Sequence, residues 1–262
     1  MQKRTIVFIH GLWLHSSSWE SWMNFFREKG YQTINPGWPG DSLTVEESRK
    51  HPEAIANRGV KEVADAYAKV IQGLREPPIV IGHSFGGLIA QIILARGLAD
   101  IAVAIDPAPI KGVWQLPFSA LRASFPILRN PGNLKKAVSL TFPQFKYGFA
   151  NAISNQEAEE IYNRWTIPAP ARPLFQAAFA TFGGSETKVN SRNQNRGPLL
   201  ITGGEKDHIA PPVFGKASTK KYKYPLITEF KLFSGRGHSL ILDRGWMEIA
   251  EYANWWIGEH GF

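Results

Sequence analysis

Ile79-Val80-Ile81-Gly82-His83-Ser84-Phe85-Gly86-Gly87 is the stretch on which the reading of this chain turns. A short apolar, β-branched run meets a glycine; a serine stands two residues on, and two more glycines open an apolar stretch through Arg96. The pattern is a buried strand, a sharp turn and a helix. In that context G-x-S-x-G reads as a nucleophile elbow, which neither the motif nor the context supports alone. The turn forces the serine into a strained conformation and presents its Oγ beyond the end of the strand. Glycines flank it because a Cβ there would strike neighbouring backbone. The helix beginning at the serine offers free N–H groups and the positive end of its dipole to a developing oxyanion.

Outward from the elbow, the first hundred residues alternate strand and helix signals. Thr5–Ile9 is a β-branched run of the kind buried on both faces. A serine cap at residues 16–18 should lead into an amphipathic helix through Trp19, Trp22, Phe25 and Phe26, ending near Gly30. Tyr31–Ile34 reads as a strand, residues 35–40 as a loop rich in Gly and Pro, Gly59–Leu74 as a helix, Gly86–Arg96 as an apolar helix and Ile101–Ile105 as a strand. This order implies a parallel sheet with helices on both faces. Between residues 108 and 196 the alternation stops: prolines, aromatics and short helical stretches at Asn155–Trp165 and Pro173–Phe182 bring no clear strand. It resumes with strands at Leu199–Thr202 and Thr228–Phe233 and a helix at Trp246–Ile257. The expected organisation is a core of residues 1–107 and 197–262 with a largely helical insertion, 108–196, too long for a plain loop.

The chain has 262 residues and no cysteine, which excludes disulfides, a thiol nucleophile and thiolate metal sites. The N-terminal apolar run is too short for a secretory signal and no stretch approaches a membrane span, so a cytoplasmic protein without stable membrane insertion is expected. The net charge of +8 is uneven: residues 108–196 hold 11 Lys/Arg against 4 Asp/Glu, and the remainder 19 against 18. The basic residues of the insertion are scattered without a stripe, so they read as a solvated surface, and no nucleic-acid partner is implied.

His10-Gly11-Leu12-Trp13, directly after the first strand, together with the elbow, resembles the α/β-hydrolase fold superfamily across the whole chain outside the insertion. The resemblance implies an α/β core with a mostly parallel sheet, here of about six strands because the chain opens at what would be the family's third strand. It implies a serine esterase- or lipase-like member with Ser84 as nucleophile and the backbone N–H groups of Leu12 and Phe85 as oxyanion hole. The side chain of His10 reads as a brace for its loop. The order Ser, acid, His draws attention to Ile201-Thr202-Gly203-Gly204-Glu205-Lys206-Asp207-His208-Ile209-Ala210-Pro211, where Asp207 matches the family's acid position and Glu205 reads as a surface carboxylate. Asp106, after the fourth strand, is a rival acid.

Among the histidines, His10, His15 and His51 precede the serine, His83 adjoins it, His208 adjoins Asp207, and His260 ends the last helix. His238, in Ser234-Gly235-Arg236-Gly237-His238-Ser239, lies where a loop over the C-terminal sheet edge can reach both Ser84 and Asp207.

A serine at the elbow argues against haloalkane dehalogenase and epoxide hydrolase chemistry, which uses aspartate there in this fold. The expected activity is hydrolysis of a carboxylic ester, with lactone and thioester open, on a small to medium apolar substrate through an acyl-enzyme. Alternatives are a cofactor-free perhydrolase of the chloroperoxidase kind and a slow-turnover, receptor-like ligand binder that keeps the triad. No metal or organic cofactor is implied, and the sequence leaves the oligomeric state open. The insertion should cap the elbow, with most of its aromatics forming its own core; Trp13, Leu14 and His83 are candidates for the substrate pocket.

Overall fold

The computed structural model describes residues 4–180, 183–223 and 226–262. Six strands form one parallel sheet: β1 (Thr5–Ile9), β2 (Gln32–Ile34), β3 (Ile79–His83), β4 (Ile101–Ile105), β7 (Leu199–Gly204) and β8 (Thr228–Phe233), in the order β2-β1-β3-β4-β7-β8. This is the α/β-hydrolase fold expected from the sequence. β3 and β4 are buried at every position and β1 at four of five, because helices cover both faces. β8, at the edge, buries only Phe233.

The helices of the core are α1 (Glu20–Glu28), α2 (Val45–Lys50), α3 (Val60–Gln72), α4 (Phe85–Ala95), α9 (Pro212–Thr219) and α10 (Trp246–Glu259). α1 has no side-chain cap. The serines before it form a 3-10 turn, Ser16–Trp19, and His15 takes the capping role because its Nδ1 accepts the Ser17 N–H at 3.2 Å. Trp22 and Phe26 of α1 pack with Trp19 around Phe8 of β1, ring centroids 5.0–6.5 Å apart. α4 lies against β3 and β4 beneath α3, and all eleven of its residues are buried. Its one buried amide, Gln91, is satisfied by the Gly87 carbonyl and the Tyr222 hydroxyl.

Among the described residues, those of 108–196 contribute no strand to this sheet. They form α5 (Phe118–Leu128), α6 (Phe142–Gly148), α7 (Asn155–Trp165) and α8 (Arg172–Ala178). They also form a ribbon that the sequence did not suggest, β5 (Ala137–Val138) paired antiparallel with β6 (Ala169–Pro170). Two-residue strands built of Ala, Val and Pro leave no alternating pattern to read. Phe145 and Phe149 stack at 5.1 Å and, with Phe142 and Tyr162, build an interior for this segment. Phe118, Phe125 and Phe179 depart from the expected core role and are 78%, 61% and 57% exposed. Phe182 lies outside the described residues.

The chain leaves β1 for β2 on one side and returns to β3 on the other. The sheet order therefore reverses between β1 and β3, and a crevice forms beyond their C-terminal ends, where ligands bind in open α/β sheets. His10-Gly11-Leu12 leaves β1 there and Ser84 leaves β3.

Candidate active site

Ser84 has φ 56° and ψ −121°, a conformation that L-residues rarely adopt. Its neighbours hold it there. Its N–H donates to the Ile105 carbonyl at 2.9 Å, and its carbonyl accepts from Leu88 N–H at 3.1 Å and Ala108 N–H at 3.0 Å. The glycines are sterically required. A Cβ on Gly82 would stand 2.1 Å from the Gly86 carbonyl oxygen, and one on Gly86 would stand 2.1 Å from that of Ile9. Gly11 comes so close to Ser84 that its Cβ would meet the serine Cβ at 2.7 Å.

Ile9 pairs with Gly82 across β1 and β3. Leu12 and Phe85 each follow that pair by three residues, in the segments that leave β1 and β3. Phe85 opens α4, so its N–H has no acceptor within the helix. The loop carrying Leu12 is fastened by His10, whose Nδ1 faces the Gly11 carbonyl at 2.9 Å and whose Nε2 faces Asp41 Oδ2 at 2.9 Å, with Trp38 against the ring at 5.7 Å.

The acid and the histidine arrive from β7 and β8. The loop after β7 folds back on Asp207, whose Oδ1 accepts the N–H groups of Ile209 at 2.7 Å and Ala210 at 2.8 Å. Its Oδ2 accepts from His238 Nδ1 at 2.6 Å, and both side chains are fully buried. Burial alone would push the Asp207 carboxyl up. The adjacent imidazole, then the hydrogen bonds from His238 and the Ala210 N–H, hold it below the usual carboxylate range. With Nδ1 committed to Asp207, Nε2 is the ring atom left for chemistry. It is buried with no hydrogen-bond partner, so it is not bonded to Ser84 Oγ in this arrangement, a looseness common before substrate binds.

The remaining sequence candidates separate by position. His83 does not line the pocket as expected; it lies beneath His238, with ring centroids 4.5 Å apart and Nε2 on the His238 carbonyl at 2.9 Å. In a strand whose side chains alternate faces, the residue before the elbow points away from the crevice. Leu14 also turns away, in an isolated bridge to Thr166. Trp13, at φ 64°, donates its indole N–H to the Val138 carbonyl at 3.0 Å and lines the cavity above Ser84. His208 packs on Tyr147, and Glu205 binds Ser234 and Gly235 at the surface. Asp106 stands beside the Asp207–His238 pair, its Oδ2 4.0 Å from His238 Nδ1. A 2.6 Å hydrogen bond between Nδ1 and Asp207 leaves no room for an ion between those two atoms, so the cluster reads as a proton-linked one.

A cavity of about 390 Å³ opens over Ser84 and Phe85. Trp13, Val113, Leu121, Leu174, Ile209 and Phe214 are among its walls, most of which come from residues 108–196, and among the described residues no charged side chain lines it. The size lies within the usual range for small-molecule sites.

The chain matches the model of the alpha/beta hydrolase family over residues 6–252 and belongs to that family. No curated protein sequence matches it. Among solved structures it is similar to an extracellular α/β-hydrolase from a Paenibacillus species, with TM-score 0.68, 21% identity, and coverage of 96% of this chain and 98% of that one. It is similar to a monoacylglycerol lipase from Paleococcus ferrophilus, with TM-score 0.69, 20% identity and coverage of 98% and 95%. It is also similar to tomato methylketone synthase I complexed with 2-tridecanone, with TM-score 0.71, 12% identity and coverage of 99% and 100%. At these identities the likeness speaks to the fold. Among the described residues, no helix is long and apolar enough to cross a membrane.

Proposed function

We propose that the protein is a serine hydrolase that cleaves a carboxylic ester of a small to medium apolar acid through an acyl-enzyme on Ser84. The observation that carries this reading is the pairing of an uncharged cavity of about 390 Å³ with a strained serine at its floor. The buried Asp207–His238 hydrogen bond at the same sheet edge supports it. In the proposed reaction a small turn of the serine side chain brings Oγ to His238 Nε2. The imidazole takes the proton as Oγ attacks the ester carbonyl, and Asp207 keeps Nδ1 protonated and steadies the imidazolium. The N–H groups of Leu12 and Phe85 receive the oxyanion, fixed in advance by the elbow and the His10 brace. His238 then protonates the departing alkoxide, and water, activated by the same nitrogen, releases the acid.

The insertion acts as the cap that shapes the acyl site. Its apolar lining disfavours a charged acyl group, because an unpaired charge there would be desolvated at high cost. The basic surface of the cap does not enter the cavity.

The test is turnover of a p-nitrophenyl ester series, acetate to octanoate, by the wild type and by folded Ser84→Ala. Repeated turnover that falls at least ~10³-fold in the variant supports the reading. A single turnover, or equal rates in both proteins, contradicts it and returns the receptor-like and perhydrolase alternatives.

A further inference from the structure

Asp106 is a buried acid for which the reaction above has no use. It closes β4 at φ 43°, in the left-handed region, and is 1% exposed. Its N–H donates to the Thr202 carbonyl at 3.2 Å, and its Oδ1 accepts the Gly204 N–H at 2.9 Å, so the residue spans the gap from β4 to β7. Oδ2 has no donor directed at it and points towards the His238–Asp207 pair. One oxygen of each carboxyl and His238 Nδ1 all lie within 4.8 Å of one another.

Two ionised carboxylates cannot share so small a space out of water, and one of them keeps a proton. Counting donors decides which. Asp207 receives three hydrogen bonds, from His238 Nδ1 and from the N–H groups of Ile209 and Ala210. Asp106 receives one, from Gly204. The charge therefore belongs on Asp207 and the proton on Asp106, which has an oxygen within 4.8 Å of one of Asp207 and no other partner for Oδ2. Burial, followed by repulsion from Asp207, pushes the Asp106 carboxyl well above the usual range, in agreement with the geometry. The other groups facing the pair do not alter this. Arg236 is turned to Asp243 and Glu248, and burial followed by the nearness of His238 pushes the His83 ring down, towards its neutral form.

We propose that Asp106 is a positioning residue: its carboxyl donates a hydrogen bond to Asp207 and fixes the acid that orients His238. The proposal rests on the triad reading. The proton stays on Asp106 throughout; no bond to it breaks in the reaction. Its hydrogen bond stops the Asp207 carboxylate from rotating away from Nδ1 and draws charge from it, which moderates the hold of Asp207 on the imidazolium.

Two substitutions of similar size separate this role from a packing role. Asp106→Asn keeps a neutral donor, the acceptor for Gly204 and the positive φ; Asp106→Leu removes all three, so the direction of the pH shift, rather than the loss of rate alone, tells the two roles apart. With a turned-over ester, Asp106→Asn should stay close to the wild type. Asp106→Leu should lose roughly 10–100-fold in kcat with little change in KM, the scale of one buried hydrogen bond to a charged group. The acid limb of the kcat/KM profile gives the sign. Without the donor, Asp207 holds the imidazolium more tightly, so in Asp106→Leu the limb moves to higher pH, while in Asp106→Asn it stays in place. Movement to lower pH in both variants would mean that a negative charge had been removed, and would overturn the proposal. Activity in Asp106→Leu equal to that of the wild type would overturn it too.

Infrared difference spectroscopy reads the proton without activity. The wild type at neutral pH should show a protonated-carboxyl C=O band that Asp106→Asn lacks, and identical spectra would overturn the proposal even if Asp106→Leu did not fold. Labelling of wild-type Ser84 by a fluorophosphonate separates the two readings. A wild type that neither labels nor turns over fails the triad reading, whereas one that labels but shows no Asp106 effect fails this proposal.

Discussion

The elbow beneath the cavity and helix α5 above it are packed in opposite ways. Around Ser84 every residue of β3 and α4 is buried, and one added methyl on Gly82 or Gly86 would collide with backbone at 2.1 Å. In α5 only Ile127 is buried, while Phe118, Phe125 and Leu121 present 78%, 61% and 47% of their surface. One wall of the site is formed by fully buried core elements and the other by a helix with a single buried residue. On the proposed reading the buried wall carries the chemistry and the exposed one the choice of substrate, as expected where a rigid scaffold carries a variable loop or cap.

That contrast can be broken or sharpened by substitution. Asp207→Asn should have the largest effect, a loss of kcat/KM on the order of 10⁴-fold, because the amide favours the wrong imidazole tautomer. A small loss would mean that Asp106 takes over as the acid, and the elbow side would then be less rigidly assigned than its packing suggests. Gly86→Ala should come next, with a stability loss of about 3 kcal/mol in denaturant unfolding, since Ile9 backbone must shift to admit the methyl. A neutral result would show that β1 can move and that the elbow is not the stiff wall.

Ala177→Phe, on the cap side of the cavity, should leave acetate ester turnover unchanged and reduce that of octanoate by about tenfold. Equal loss on both esters would place the acyl chain elsewhere. Phe118→Ser should change stability by less than ~0.5 kcal/mol, because the ring is already in water. A large change would show that α5 is packed in solution and would remove the contrast.

The rigid half of the molecule was legible in the sequence and the loose half was not, for physical reasons. Buried parallel strands are written as β-branched runs, and a strained serine needs glycines at fixed offsets, so β1, β3, β4 and the elbow could be read locally. Asp207 was singled out by the resemblance of its loop to the family's acid loop and His238 by its place after the last readable strand, and the structure brings the two into contact. Side-chain direction and distant pairing were harder. His83 was expected in the pocket but packs against His238 and bonds its carbonyl, a contact across 155 positions that no local pattern shows. The pairing of Asp106 with Asp207 joins residues about a hundred positions apart, and the contact of Asp41 with His10 depends on how the loop after β2 folds back. The aromatics of α5 looked like core by composition, but what an apolar helix packs against is decided by its neighbours rather than by its own residues.

The most direct test of the central claim is mass spectrometry of the protein after reaction with a small alkyl fluorophosphonate. One adduct per chain is expected, on the peptide carrying Ser84, lost in Ser84→Ala and formed far more slowly in His238→Ala. An adduct on another residue, or a rate of labelling indifferent to His238, would contradict it.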